Sequence, residues 1–395
     1  MGLQAASAVL ALPEEPEDRC EAAYYLGCGL KPTDTVMRLP DVRKSGGRRA
    51  ALGRLGPSFG PRRSSGELSC EAAATYLLQS PKGSWIPQSA RMSIHTVFSV
   101  DGSLYHRWQA DLLAYSHQKA GQSGPLTRLW SAHGRPVPFA GRTLKAEPYS
   151  PHPRSGDDYP PYNKPSALQA WLRDATPAED LALILDPDCV FLEPQAWSAE
   201  RGSPLAQAVN YLIPTDNPEL VRRHCRKPGA VQGIGIPLLI HREDLRLLVP
   251  RWLHKTEAIR DDPKSRELAG WLAEMWGYAF AAADLGLRHI ACELACFQKQ
   301  NRADLPIIHY CCTSSDADGR WTWDKRTYRP WRRVADPPAS TPLASVTLIR
   351  LLNEYAATQQ FRQLRQRRPE WKPRRRDLPG IAAVKPEWRR RGPGA

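Results

Sequence analysis

The sequence has no run of about 18 consecutive apolar residues, so no membrane-spanning helix is expected within it. It has no Cys-x-x-Cys pair. Cys292-x3-Cys296 and Cys311–Cys312 lack the spacings that hold structural zinc, and nine cysteines are too many by one for complete pairing. The apolar stretch Ala8 to Leu12 is short and acidic residues follow it at once, so no secretory leader is read in this chain. No base-reading motif is visible, and nucleic acid is not an expected partner. What is present is a chain of 395 residues with 42% apolar residues, enough for a sizeable core and long enough for two or three domains. Its 37 prolines imply long loops or irregular flanks.

The formal charge of +14 is unevenly placed. From Arg362 onward ten Arg and two Lys face only Glu370, Asp377 and Glu387, so +9 of the total sits in the last 34 residues. Such a tail reads as a solvated extension, or as a surface for an acidic polymer. Residues 1–90 are rich in Gly, Pro, Ser and Arg and read as mostly irregular. Residues 91–335 have the texture of one α/β domain, 336–366 of a C-terminal helix, and 367–395 of a basic disordered tail.

Within the domain, Ser93 to Val100, Leu126 to Ser131, Leu181 to Leu185, Leu205 to Ile213, Ile234 to Ile240 and Pro306 to His309 read as strands. Helical spacing appears at Leu104, Trp108, Leu112 and Tyr115, and over Ser166 to Arg173. It recurs at Leu245, Leu248, Val249, Trp252 and Leu253. A four-turn apolar face is formed by Leu268, Trp271, Leu272, Met275, Trp276, Ala279, Phe280 and Ala283. Residues 132–162 read as loop. The order of elements predicts a largely parallel sheet.

The strongest chemical signal is Leu181-Ala-Leu-Ile-Leu-Asp186-Pro-Asp188, an all-apolar strand ending in two carboxylates at i and i+2. In an extended chain that spacing sends both side chains to one side. The carboxyl end of a central strand is where open α/β sheets bind ligands, and carboxylates there suit a hard divalent cation shared with substrate phosphates. A turn capped by either aspartate is the plainer alternative. His309, closing the run Pro306-Ile-Ile-His, is a candidate third ligand or simply a hydrogen-bonded histidine at a strand end.

From about Ile94 to Trp331 the chain resembles the plant and green-algal peptidyl serine α-galactosyltransferases, relatives of the hydroxyproline O-arabinosyltransferases. The matching segments run in order. They are Ile94-His-Thr-Val-Phe-Ser-Val100, Gly124-Pro-Leu-Thr-Arg-Leu129, His152-Pro-Arg-Ser-Gly-Asp157, Asn163-Lys-Pro165 and Ile184-Leu-Asp-Pro-Asp188. They continue with Glu200-Arg-Gly202, Asp244-Leu-Arg, Glu274-Met-Trp-Gly-Tyr278, Gly286-Leu-Arg-His289, Ile308-His-Tyr310 and Trp321-Thr-Trp-Asp-Lys325.

The resemblance implies a GT-A-type fold and a UDP-sugar donor. It also implies a divalent metal, Mn²⁺ or alternatively Mg²⁺, on Asp186 and Asp188 with His309. Asn163, Lys164 and Arg128 become candidates for the donor's diphosphate or uridine, with surface charge the alternative for the two basic residues; Thr96 and Ser99, at the end of the first strand, become candidates for its base or ribose. Gly233 and Gly235 would let the backbone approach the sugar, or else mark a bulge. Glu274 is a candidate catalytic carboxylate toward acceptor or sugar, with a solvated helix edge as the alternative. Asp244 is a second candidate, with a helix N-terminal carboxylate as its alternative. Cys311–Cys312 stand where the family motif has glycine.

The implied reaction is retaining transfer of galactose from UDP-galactose to serine in a Ser/Hyp-rich polypeptide, in the Golgi or endoplasmic reticulum lumen. Arabinosyl transfer to hydroxyproline is one alternative. Another is a non-catalytic homologue that holds acidic polymer with its tail.

Overall fold

In the computed structural model residues 93–367 are described. The expectations for residues 1–90 and for the tail beyond 367 lie outside them. The described part opens with β1 (Ile94–Val100), α1 (Leu104–Ala120), β2 (Leu126–Trp130), β3 (Arg142–Lys145), α2 (Asn163–Ala170) and β4 (Leu181–Leu185). Local chemistry sets the ends of α1. Ser103 Oγ accepts from His106 N at its start, and Gly121 takes the left-handed conformation (φ 70°) at its end.

The seven-stranded sheet has the order β3-β2-β1-β4-β7-β6-β8, with β6 at Leu205–Ala208, β7 at Ile234–His241 and β8 at Ile290–Cys292. β3, β2, β1 and β4 run parallel, with Thr96 opposite Leu126 and Ile94 opposite Leu181. β7 is antiparallel to both β4 and β6, so the sheet is more mixed than the element order predicts. A second sheet, β5-β10-β9, joins Cys189–Phe191, Ile307–His309 and Ala295–Phe297. A two-stranded ribbon pairs β11 (Ser314–Ser315) with β12 (Thr322–Trp323).

β4 is central, and its alternation divides the core. Leu181, Leu183 and Leu185 face α1 and the second sheet, whereas Ala182 and Ile184 face α2 and the helices that follow β7. All five side chains are buried, each worth about 1.5–3 kcal/mol of transfer free energy if leucine-sized. α3 (Pro218–His224) precedes β7, and α4 (Arg242–Asp261), α5 (Pro263–Ala269) and α6 (Ala273–Leu285) follow it. α4 and α6 meet closely at Gly277, where an added Cβ would lie 2.3 Å from Thr256 Oγ1 and 2.9 Å from Thr256 N. The last helix, α7 (Leu343–Arg367), packs Leu348, Ile349 and Leu352 into a cluster with Trp108, Ile308, Tyr310 and Trp323. No helix among the described residues is long and apolar enough to cross a membrane.

Three elements differ from expectation. The apolar face from Leu268 to Ala283 is not one helix, because Gly270 (φ 52°) breaks the chain between α5 and α6. Asp262, accepting from Lys264 N and Ser265 N, and Pro263 at the first helical position start α5. The strand expected from Leu205 to Ile213 stops at Ala208, just past a register shift between Ala206 and Gln207. Residues 132–162 contain the edge strand β3, whose polar sequence Arg-Thr-Leu-Lys shows no apolar run.

Candidate active site

Asp186 follows β4 directly, and the chain does not stay extended. Cys189 N donates to Asp186 O over 3.2 Å, closing a turn with Pro187 at its second position. β5 leaves this turn and pairs antiparallel with β10, placing Cys189 opposite His309; Tyr310 N donates to Asp188 O over 2.9 Å. The register therefore delivers the imidazole to the acid pair. His309 Nε2 lies 3.2 Å from Asp188 Oδ1 and 3.9 Å from Asp186 Oδ2. The other oxygens face lysines: Lys164 Nζ is 2.9 Å from Asp186 Oδ1, and Lys325 Nζ is 2.7 Å from Asp188 Oδ2. Lys164 also lies 3.5 Å from Glu274 Oε2. A continuous line of charge thus runs from Glu274 through Lys164, Asp186, His309 and Asp188 to Lys325.

The electrostatics follow from this geometry. Burial disfavours the Asp188 carboxylate, but Lys325 and His309 outweigh it and hold the group well below the usual range. Burial likewise disfavours a charged His309, yet Asp188 and Asp186 raise its affinity for a proton. Burial raises Glu274 to about 7, with Asp186 adding to the rise and Lys164 opposing it. Lys164 and Lys325 are both held above their ordinary value, their carboxylates overcoming burial.

Whether these residues suit a cation is a question of donors. Among the described residues, Asp188, Cys189 and His309 have ligand atoms all within 4.8 Å of one another. Cys189 belongs to the apolar core, and burial, with Asp188 and Asp186, pushes its thiol well above the ordinary range; it stays protonated and is a poor ligand. The fitting donors are the inner oxygens of the two aspartates and His309 Nε2. Ligands on a six-coordinate ion of ~2.1 Å bond length sit about 3 Å apart, close to the Asp188–His309 separation. The carboxylate oxygens suit Mn²⁺ or Mg²⁺, and an imidazole beside them favours Mn²⁺, the softer of the two. His309 Nδ1 is buried with no partner among the described residues.

Glu274 is fixed by its backbone at the start of α6. Its N–H donates to Tyr159 Oη over 3.0 Å, its carbonyl accepts from Trp252 Nε1 over 2.9 Å, and Tyr159 donates in turn to Trp271 O. Tyr159 stands beside a network in which Asp157 meets Arg260 in two hydrogen bonds of 2.8 and 2.7 Å and His152 meets Glu257 at 3.0 Å. The matched His152-to-Asp157 segment thus supports the site from behind. Ser99 follows the Phe98–Leu185 pair, which brings it level with Asp186. Gly235 lies at the edge, where an added Cβ would meet Val209 Cγ1 at 2.9 Å, Tyr211 Oη at 3.4 Å and Met275 Cε at 3.5 Å.

Five expected residues are placed elsewhere or otherwise engaged. Asp244 sits in the first turn of α4, just past His241, which pairs with Leu181 at the opposite end of β4 from Asp186. It accepts from Arg201 Nε (2.8 Å) and Gly202 N (2.6 Å) and ties down that loop. Arg128 is fully buried beneath α1; it donates to Val137 O and Thr143 Oγ1 and lies over the rings of Trp130 and Phe139. Thr96 is buried mid-strand rather than at the end of β1. Asn163 is buried and accepts from Tyr149 N over 2.7 Å. Gly233 is needed for backbone packing, since a Cβ there would stand 2.2 Å from Leu212 O.

Two residues at the site escaped the sequence reading. Lys325 lies within a matched segment, but a lysine after a Trp-rich stretch has no diagnostic spacing. Tyr211 looked like part of a strand. Because β6 ends early it emerges half exposed, within electrostatic reach of Asp186, Lys164 and Glu274.

Comparison with known proteins adds the following. The hydroxyproline O-arabinosyltransferase family N-terminal domain matches residues 94–291. The chain is 39% identical over 220 residues to a peptidyl serine alpha-galactosyltransferase of Arabidopsis thaliana, covering 51% of this chain and 27% of that protein. The chain thus spans about a quarter of that relative's length. It is 30% identical over 299 residues to hydroxyproline O-arabinosyltransferase 3 of Arabidopsis thaliana, covering 69% of this chain and 82% of the relative. It is 26% identical over 296 residues to hydroxyproline O-arabinosyltransferase RDN2 of Medicago truncatula, covering 68% and 82%. Among solved structures, galactosyltransferase LgtC in complex with donor and acceptor sugar analogs aligns with a TM-score of 0.41 at 12% identity, covering 67% of this chain and 95% of that one.

Proposed function

The chain belongs to the hydroxyproline O-arabinosyltransferase family, and we propose on that footing that it is a metal-dependent retaining glycosyltransferase. It moves a sugar from a UDP-sugar to a hydroxyl of a Ser/Hyp-rich polypeptide in the Golgi or endoplasmic reticulum lumen. The observation that carries this reading is the meeting of Asp186, Asp188 and His309 between two partly buried lysines. The two aspartates and the imidazole would hold a divalent cation there, which would supply Lewis-acid stabilisation of the negative charge on a departing diphosphate.

The chain's own groups do the rest. Lys325 and Lys164 stay protonated and present positive charge at either end of the acid pair, where a diphosphate docks. Glu274 faces the same space and binds a sugar or acceptor hydroxyl, in the ionised or the neutral form on either side of about pH 7. No carboxylate is assigned as a nucleophile. The favoured route is same-face attack, in which the leaving phosphate takes the acceptor proton.

Galactose to serine is the first assignment, supported by the 39% identity to the serine galactosyltransferase. Arabinose to hydroxyproline is the second, supported by the family domain and by the high coverage of the arabinosyltransferase relatives. The test is incubation of the full chain with Mn²⁺, a Ser/Hyp-rich peptide, and UDP-galactose and UDP-arabinose separately and in competition. Galactosyl-serine with UDP release supports the first assignment and arabinosyl-hydroxyproline the second. Neither product with either donor overturns the reading.

A further inference from the structure

Cys311 and Cys312 leave β10 two and three residues after His309. Their sulfurs are 3.4 Å apart, and both side chains are partly exposed, unlike the buried Cys189, Cys225 and Cys296. The pair is not free to drift, because Gln298 Nε2 donates to Cys312 O and the buried Gln298 is itself tied to α7 through Ser345, which donates to its carbonyl over 2.6 Å. Cys311 lies within electrostatic range of Asp188 and Lys325. Nothing in the proposed transfer reaction uses either thiol.

We infer that Cys311 and Cys312 form a reversible dithiol–disulfide site, closed by exchange with a small disulfide of the glutathione type. One thiol, as thiolate, attacks the small disulfide and releases one small thiol. The neighbouring sulfur then displaces the second. Two S–H bonds are lost from the protein, one S–S bond forms, and the two electrons and two protons leave as two molecules of small thiol. Adjacent Cα atoms are ~3.8 Å apart, below the ~4.4–6.8 Å that ordinary disulfides span, so the closed ring is strained and readily reduced. Closure brings the sulfurs from 3.4 Å to about 2.05 Å. It thereby shifts the backbone leaving β10, whose previous residues are Tyr310 and His309. The closed form therefore turns over more slowly, a consequence that rests on the proposed function; the chemistry of the pair does not.

The experiment equilibrates the full chain with oxidised or reduced glutathione, quenches with acid, alkylates and digests with trypsin. Residues 303–320 form one tryptic peptide, which holds Cys311 and Cys312 and no other cysteine. The expected result with oxidised glutathione is this peptide unalkylated and about 2 Da lighter than the dithiol, returning to the doubly alkylated form after dithiothreitol. Cys312→Ser should instead carry one glutathione on Cys311. A peptide that stays doubly alkylated overturns the inference, as does one that stops at glutathione adducts or cross-links to another cysteine. Turnover is measured on the same samples. A fall of threefold or more that dithiothreitol reverses, and that a variant carrying both Cys311→Ser and Cys312→Ser does not show, supports the coupling to the site; unchanged turnover in a fully closed sample overturns that coupling. A chain with no turnover in either state bears on the transferase reading alone, because the peptide mass decides the chemistry by itself.

Discussion

Lys325 Nζ donates to Asp188 Oδ2 over 2.7 Å across 137 residues of chain, while His309 Nε2 faces the other oxygen of the same carboxylate at 3.2 Å. One buried acid therefore joins the end of β4, the end of β10 and the ribbon segment after β12. Asp186 holds only Lys164 closely and is more exposed.

This asymmetry predicts different stabilities for two similar variants. Asp188→Asn leaves a largely desolvated ammonium and a buried imidazole without their counter-charge, and should cost about 3 kcal/mol. Asp186→Asn should cost about 1 kcal/mol, its side chain being partly solvated. Urea unfolding of both variants without added metal is the check. Equal losses would show that Asp188 does not organise the site.

Lys325 should matter to chemistry more than to acceptor binding. Lys325→Met is expected to lower kcat by about 10²–10³, the scale for losing one preorganised contact to developing negative charge, with the acceptor KM little changed. Lys325→Arg should recover part of the loss. Initial rates at saturating donor read this directly, and an unaltered kcat in Lys325→Met would remove the residue from the reaction.

Glu274 gives a pH prediction with a definite sign. Burial, assisted by Asp186 and opposed by Lys164, raises its folded value to about 7 from a reference of 4.5. The folded state keeps a proton that the unfolded chain has lost. The associated stability is therefore complete below about pH 4.5 and disappears as pH rises through 7. The difference between wild type and Glu274→Gln should change by up to ~3 kcal/mol over that window. Unfolding free energies at several pH values measure it, and a pH-independent difference would contradict the burial argument.

Asp244 should behave as a structural carboxylate. Asp244→Asn loses part of its hold on Arg201 and the Gly202 backbone and should cost about 1–3 kcal/mol. Its kcat below the melting range should match wild type. A large fall in kcat with stability preserved would return Asp244 to the reaction.

The sequence made legible what periodicity and local chemistry govern. β4 is an unbroken apolar run, so its depth in the sheet and the position of Asp186 at its end could be read directly. His309 was visible for the same reason, closing another apolar run. Its meeting with Asp188 was not, because that depends on the antiparallel pairing of β5 with β10. Of the two readings of the Asp186–Asp188 spacing, an extended pair or a turn, the chain takes the turn, with Pro187 at its second position. Residue type misled at Arg128, where an expected phosphate contact proved to be a cation enclosed by Trp130 and Phe139. Asp244 misled through its place in a matched segment, since only the register of β7 reveals that it lies at the far end of β4. Tyr211 was hidden by a strand that ends sooner than its composition suggests.

The most direct test of the central claim is a Mn²⁺ titration of the full chain, with free ion followed by electron paramagnetic resonance, on wild type, Asp188→Asn and His309→Ala. One ion per wild-type chain is expected, with an affinity at least about tenfold weaker (~1.4 kcal/mol) in each variant. Wild-type affinity in both variants, or no binding by the wild type, would contradict that claim.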